Sequence, residues 1–132
     1  MGSFSKEHIL KISKKNDSLL KEYIEEIEVN CITLNQLFKK HKIEAIELLI
    51  VDTESYDWKV ISQLNLKEFE PVIILFEHSN LTELERIKSI EYLEGNYYLF
   101  LFGYNYLCIN KIKIKDLNIL KKIAHTSKSL RD

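Results

Sequence analysis

The sequence contains very little glycine, and this scarcity excludes one common kind of site. Gly2, Gly95 and Gly103 are the only glycines in 132 residues, so no Gly-x-Gly loop can form. Such loops bring backbone N–H groups close to the phosphates of a nucleotide or to a cofactor. The residues ahead of the apolar run at 48–51 also supply no strand followed by a glycine turn. The chain therefore lacks the first unit that a complete Rossmann-type enzyme needs.

Cysteine is almost as scarce, which argues against a cysteine-based metal or redox site. Cys31 and Cys108 are too far apart for a CxxC motif and have no histidine at metal-ligand spacing. Apolar residues flank each of them, which predicts two buried, reduced thiols in a cytoplasmic protein. No segment has the length of a signal-peptide core or of a membrane span.

An excess of charge of either sign is missing as well. The chain has 19 basic and 20 acidic residues, with a net charge of −1, and the two signs are interleaved. The net charge therefore produces no electrostatic field that would attract nucleic acid or anionic lipid, and we expect neither partner. With 45% hydrophobic and 30% charged residues, the composition is typical of a soluble globular protein, and the length predicts one domain over 1–132.

Two continuous apolar runs stand out in the rest of the sequence. They cover 48–51 and 72–76, and apolar residues at consecutive positions predict strands with both faces covered. Residues 56–64 lie between them with helical spacing, so the three segments predict a right-handed βαβ unit with parallel strands. The aromatic segments 97–102 and 106–110 predict an antiparallel hairpin that extends the sheet beyond the second strand. The fold class is therefore α/β, a three-layer sandwich.

Both apolar runs end in acidic residues, which are the candidates for chemistry. Asp52 and Glu54 follow the first run, whereas Glu77 and His78 follow the second. Carboxyl ends of parallel strands meet at one edge of a sheet, where open α/β folds bind ligands. We take Asp52 and Glu54 as candidate catalytic residues and Tyr56, Glu77 and His78 as candidate substrate-binding residues. The competing interpretation is that these side chains only solvate the strand exits and cap the following helices.

Shorter patterns complete the expected secondary structure. Alternation over 26–31 predicts a half-buried strand, and helical spacing predicts an amino-terminal helix over 5–14. Capping boxes predict two helix starts, and an aspartate could cap a last helix; these residues are Thr33 with Gln36, Thr82 with Glu85, and Asp116.

Several of these segments resemble the carboxyl-terminal half of FkbM-type methyltransferases. The segments are TLNQL at 33–37, IELLIVDTESYD at 46–57 and PVIILFEH at 71–78, with SFSKEH at 3–8 similar to a segment of some members. The family has a strand ending in aspartate, any residue, glutamate, glycine. The resemblance implies a partial Rossmann-like, class I methyltransferase sheet. It also implies transfer of a methyl group from S-adenosylmethionine to a hydroxyl of a sugar or natural product.

The sequence departs from the family in two ways that matter. Ser55 stands where the family usually has glycine, so a turn that needs positive φ would be strained or reshaped. The glycine-rich loop and the ribose-binding acid of the family's cofactor half are missing. The resemblance thus implies that Asp52 and Glu54 act on the acceptor side, while the cofactor-binding residues stay unknown. It implies a truncated enzyme, inactive as an isolated chain.

Three function classes remain open at this point. The first is a methyltransferase part that needs another chain to supply the cofactor half, and the second is a non-catalytic α/β interaction module. The third is a metal-dependent hydrolase using Asp52, Glu54 and Asp57, which suffers because Asp57 should already be helical. No metal site is predicted. The apolar edge of the 47–52 strand further predicts a homo-oligomer, unless residues 26–31 fold back to cover it.

Overall fold

The computed structural model describes Lys6, Ile9, Leu10 and residues 24–129. The helices and strands in this part of the chain are α1 (Leu34–Lys40), β1 (Leu48–Val51), α2 (Asp57–Ile61), β2 (Ile73–Glu77), α3 (Glu83–Leu93), β3 (Tyr97–Phe102), β4 (Asn105–Asn110), α4 (Leu117–Thr126) and β5 (Lys128–Ser129). Most of the helix predicted over 5–14 lies outside the described residues. Among those described, no helix has both the length and the apolar character needed to cross a membrane.

The strands form one mixed sheet in the order β1-β2-β4-β3-β5. β1 and β2 are parallel, with Leu48 opposite Ile73 and Val51 opposite Phe76. The β3–β4 hairpin adds to the far side of β2 through antiparallel pairing of β2 with β4. Two predictions are therefore confirmed: the two apolar runs are parallel neighbours, and the hairpin extends the sheet beyond the second strand.

The hairpin loop is one residue shorter than the sequence suggests. Only Gly103 and Tyr104 connect the strands, because Asn105 already pairs with Phe102 and Glu77. Gly103 has φ 59°, and a glycine with positive φ at the first position of a two-residue loop is what a type II′ turn requires. The Tyr104 carbonyl accepts a hydrogen bond of 2.9 Å from the His78 backbone N–H. The hairpin tip therefore lies beside the end of β2.

The observed helix starts agree with those predicted from the sequence. Thr33 with Gln36 and Thr82 with Glu85 both form complete capping boxes, and Asp116 caps α4 by accepting from the Asn118 and Ile119 backbone N–H groups. The predicted helix over 56–64 is shorter, because α2 ends at Ile61 and turns lead on to the buried Leu64.

One face of the sheet carries the main core. Alternate residues of β1, β2, β4 and β3 point to this face and pack with α2 and α3; the strand residues are Leu49, Val51, Ile74, Phe76, Tyr106, Cys108, Tyr97, Leu99 and Leu101, and the helix residues include Ile61 and Leu93. Cys108 is fully buried, as predicted, and desolvation raises the pKa of its thiol far above the ordinary value. This core holds the ends of β1 and β2 in register.

The opposite face is only partly covered, which corrects one expectation. Ile109 of β4 is buried there, whereas Leu48 and Ile50 of β1 keep 54% and 59% of their surface exposed. The prediction that the first apolar run has both faces covered is wrong. An apolar run shows that its residues favour burial, but it does not show which segment covers them. In the part of the chain that the structure describes, the second helical layer of a three-layer sandwich is thus not seen over β1.

The segment ahead of α1 also differs from its prediction. Residues 24–33 contain no helix or strand, and Ile27 and Val29 are 80% and 55% exposed. Cys31 is exposed instead of buried. The predictions of a half-buried strand over 26–31 and of a buried Cys31 are therefore wrong. Alternation defines an apolar face, but a strand also needs a neighbouring strand to accept its backbone hydrogen bonds.

Candidate functional site

The loop that follows β1 has an unusual backbone. Glu54 and Ser55 have φ values of 51° and 85°, although side chains clash in this region and each such residue costs about 1–2 kcal/mol. The sequence-based expectation that position 55 needs positive φ is confirmed. The strained turn reverses the chain within a few residues, so that α2 can begin at Asp57.

Asp57 is a buried acid directly behind this loop. Its side chain is 0% exposed, and its two oxygens accept hydrogen bonds from the Thr53 backbone N–H at 3.4 Å and the Thr53 hydroxyl at 3.2 Å. Desolvation raises the pKa of Asp57, although Thr53 and the backbone N–H groups of Asp57 and Glu77 oppose that effect. The carboxyl group therefore faces back to the exit of β1.

The end of β2 is organised by ordinary side-chain hydrogen bonds. The Glu77 carboxylate accepts hydrogen bonds from the Ser79 hydroxyl and, at 2.9 Å, from the Asn80 side-chain amide. None of the three residues has positive φ. Glu77 is half-buried and points from the last position of the strand toward the hairpin tip, where Asn105 is its partner in register.

The two strand exits and the hairpin tip border an open cleft, which we call the acidic cleft. It has a volume of about 270 Å³ and is lined by Asp52, Glu54, Glu77, Tyr104 and Asn105. Three of the five predicted site residues therefore meet at one place. Three carboxylates can accept several hydrogen bonds from a ligand, and Tyr104, which is 74% exposed, offers an aromatic face at the rim.

The other two predicted site residues lie outside this lining. The His78 ring stacks on Tyr106 with centroids 4.5 Å apart, and its Nε2 donates to the Gly103 carbonyl oxygen at 3.3 Å. Tyr56 precedes α2, and the Lys59 Nζ lies 4.4 Å from the centroid of its ring. Both residues flank the edge that holds the acidic cleft. Their binding roles stay predictions.

Sequence reasoning missed the contribution of the hairpin tip. Tyr104 and Asn105 line the acidic cleft because β4 is the neighbour of β2 and its amino end faces Glu77. Gly103 marked the turn in the sequence. The order of the strands in the sheet was needed to show that this turn faces the acids.

The described residues do not bring together a set of ligands for a metal ion. Within the described part of the chain, no group of three or more histidine, cysteine, aspartate or glutamate side chains could hold a metal. The lining of the acidic cleft also offers carboxylates where the carboxylate of S-adenosylmethionine needs donors.

A comparison with protein families gives a match over most of the chain. The family model described as the methyltransferase FkbM domain matches residues 3–119. No curated protein and no solved structure matches the chain. The matched range includes β1, β2, the hairpin and therefore every residue of the acidic cleft. The chain belongs to the FkbM methyltransferase domain family.

Proposed function

We propose that this chain is a methyltransferase domain whose acidic cleft binds the hydroxyl groups of a small-molecule acceptor, a sugar or a natural product. The observation that carries the proposal is the convergence of Asp52, Glu54 and Glu77 on one cleft at the exits of two parallel strands. Carboxylates accept hydrogen bonds from hydroxyl groups, and the carboxyl edge is where α/β sheets bind ligands. Membership of the family supplies the reaction class.

The two strand exits have different roles in this proposal. Asp52 and Glu54 act as the catalytic carboxylates, and one of them is the general base that accepts the proton which the acceptor hydroxyl loses on methylation. A general base needs to lie within hydrogen-bond reach of that proton. Glu77, whose carboxylate is held by Ser79 and Asn80, binds and orients the acceptor, with Tyr56 and His78 at the same edge.

We infer that the methyl donor is S-adenosylmethionine and that this chain alone binds it weakly. The family supports the donor in general, but the sequence has no Gly-x-Gly loop and the cleft lining contains no cationic side chain. Another chain would then complete the cofactor site on a class I, Rossmann-like sheet. Calorimetry that gives a dissociation constant near 1 μM, about −8 kcal/mol, would overturn this inference.

A methyl-transfer assay tests the proposed activity despite weak cofactor binding. Millimolar labelled S-adenosylmethionine compensates for a high dissociation constant by mass action, and a panel of methyl glycosides supplies hydroxyl acceptors. The resemblance implies an isolated chain that is inactive at ordinary donor concentrations. At millimolar donor we expect transfer by the unchanged chain and a loss of about 100-fold in Asp52→Asn or Glu54→Gln. Glu91→Gln, in α3 and outside the cleft lining, is the matched control. Absence of transfer at every donor concentration would reject the enzymatic proposal.

A second candidate function is a non-catalytic interaction module, and the open face of the sheet favours it. This open face consists of Leu48 and Ile50, which are largely exposed on a strand that pairs with a single described neighbour. The segment at 24–33 of the same chain exposes Ile27 and Val29 without regular structure. In a two-fold dimer, each copy could place this segment along β1 of the other and cover both apolar surfaces. The partner in this proposal is therefore a second copy of the chain.

We also place the protein in the cytoplasm. The support comes from its thiols, because Cys31 and Cys108 are both unpaired and Cys31 is exposed. Exposed free thiols persist in reducing compartments.

A further inference from the structure

We propose that Asp57 is a positioning residue: its buried carboxyl group holds the strained loop after β1 and so sets where Asp52 and Glu54 stand relative to Glu77. The inference rests on the proposed function only for the catalytic and binding roles of Asp52, Glu54 and Glu77. We call the two hydrogen bonds between Thr53 and the Asp57 carboxyl group the brace. The brace can be tested without any enzymatic activity, because it concerns contacts only.

The first step is the geometry of the brace. Asp57 uses Oδ1 for the Thr53 backbone N–H and Oδ2 for the Thr53 hydroxyl, at 3.4 and 3.2 Å. Thr53 lies between Asp52 and Glu54 in the chain. Hydrogen bonds that fix Thr53 therefore also restrict the backbone positions from which the Asp52 and Glu54 side chains extend. One buried side chain thus holds the backbone and the side chain of the loop at the β1 exit.

The second step is the strain that the brace must oppose. Glu54 and Ser55 both have positive φ, and residues in such conformations persist only when their surroundings fix them. Asp57 begins α2 immediately after this turn, and its carboxyl group folds back to Thr53 on the other side of it. The hydrogen bonds therefore close a short loop around the two strained residues.

The third step is the position of Asp57 relative to the ligand site. Asp57 is fully buried and does not belong to the lining of the acidic cleft. A residue with this placement acts through the loop instead of touching an acceptor. Catalytic groups need to be held within a fraction of an ångström of their working position, and a supporting shell of hydrogen bonds supplies this precision.

Amide hydrogen exchange in the full chain tests the brace directly. The rate is measured at Thr53 and compared with the rate at Cys108, a buried residue of β4. We expect Asp57→Leu, which keeps the size but removes both acceptors, to speed exchange at Thr53 by about tenfold relative to Cys108. Asp57→Asn keeps one acceptor oxygen and should give an intermediate rate. Ile109→Val, a core variant on the other face, should change both rates together.

A second variant separates positioning from general stability. Ser55→Gly relaxes one strained residue, so the Asp57→Leu/Ser55→Gly double variant should recover part of the order at Thr53. In the methyl-transfer assay, Asp57→Leu should lower kcat more than it raises KM, and Ser55→Gly should restore part of kcat.

The outcomes distinguish the brace from the proposed function. Unchanged exchange at Thr53 in Asp57→Leu, or an equal effect of Ile109→Val on the ratio, would overturn the brace whatever the activity. Faster exchange at Thr53 without methyl transfer by the unchanged chain would support the brace and reject the enzymatic proposal. If Asp57→Leu fails to fold, Asp57→Asn and Thr53→Val supply the same comparison, since each removes one of the hydrogen bonds.

Discussion

The two strand exits that form the acidic cleft are built in different ways. The exit of β1 places Asp52 and Glu54 on a turn with two residues at positive φ and a buried acid behind it. The exit of β2 places Glu77 on unstrained backbone and holds its carboxylate with Ser79 and Asn80. Both exits are held by nearby residues, but the first depends on a fully buried acid behind a strained turn, whereas the second has exposed and partly buried contacts on unstrained backbone. The β1 exit should therefore be the more sensitive of the two to substitution.

The largest expected effect comes from removing the buried acid. Asp57→Ala leaves the Thr53 N–H and hydroxyl without their acceptor and opens a small cavity, so we expect the free energy of unfolding to fall by about 2–3 kcal/mol. The matched change at the other exit, Asn80→Ala, removes one partly exposed hydrogen bond and should cost about 1 kcal/mol or less. Urea unfolding at neutral pH measures both. Equal losses would remove the distinction between the exits.

A glycine at position 55 should change the free energy of unfolding by a smaller amount and in the opposite direction. Ser55→Gly relieves the strain at φ 85° and should raise the free energy of unfolding by about 0.5–1 kcal/mol, even though glycine adds freedom to the unfolded chain. Ser79→Gly has no positive φ to relieve and should lower the stability. Thermal unfolding of the two variants measures this contrast. A destabilised Ser55→Gly protein would show that the turn is not strained.

The pH dependence of stability should report on the buried acid of the β1 exit. Burial raises the pKa of Asp57 above its ordinary value of 3.8, so the folded chain keeps this proton to higher pH than the unfolded chain. The contribution of Asp57 is therefore most favourable below that value, and it is lost as the pH rises through the folded-state pKa. The unchanged protein should lose stability relative to Asp57→Asn over this window. A constant difference across the window would show that Asp57 titrates normally.

The smallest effect on folding, and the clearest on association, is expected on the open face. Ile50→Lys changes a side chain that is already 59% exposed, so it should fold normally while preventing a second copy from covering β1. Light scattering at micromolar concentration should report a mass above 15.7 kDa for the unchanged chain and the monomer mass for the variant. Leu84→Lys, at a 60% exposed position of α3, is the control. A monomeric unchanged chain would reject the dimer.

The sequence predicted the parts of this fold that depend on local patterns. The apolar runs that end before Asp52 and at Phe76 predicted two parallel strands. The capping boxes, in which a glutamine or glutamate follows a threonine by three residues, predicted two helix starts. The exposed segment around Ile27 was predicted wrongly, because alternation says nothing about whether a neighbouring strand exists. The role of Tyr104 was equally hidden, since it depends on which strand the hairpin joins.

The expectation about Ser55 shows how a departure from a family pattern can be informative. A serine at a usual glycine position predicted either strain or a reshaped turn, and the structure has the positive φ that strain requires. The burial of Asp57 could not be read in the same way. An acid at a helix start is ordinarily exposed, and only the packing of α2 behind β1 turns this one inward.

The most direct test of the account is a map of where a hydroxyl-rich acceptor binds. Methyl glycosides added at millimolar concentration to the labelled full chain should shift the NMR signals of Asp52, Glu54, Glu77, Tyr104 and Asn105. The shifts should weaken in Asp52→Asn and persist in Glu91→Gln. Shifts confined to Leu48 and Ile50, or no shifts with any glycoside, would contradict the claim that the acidic cleft binds the acceptor.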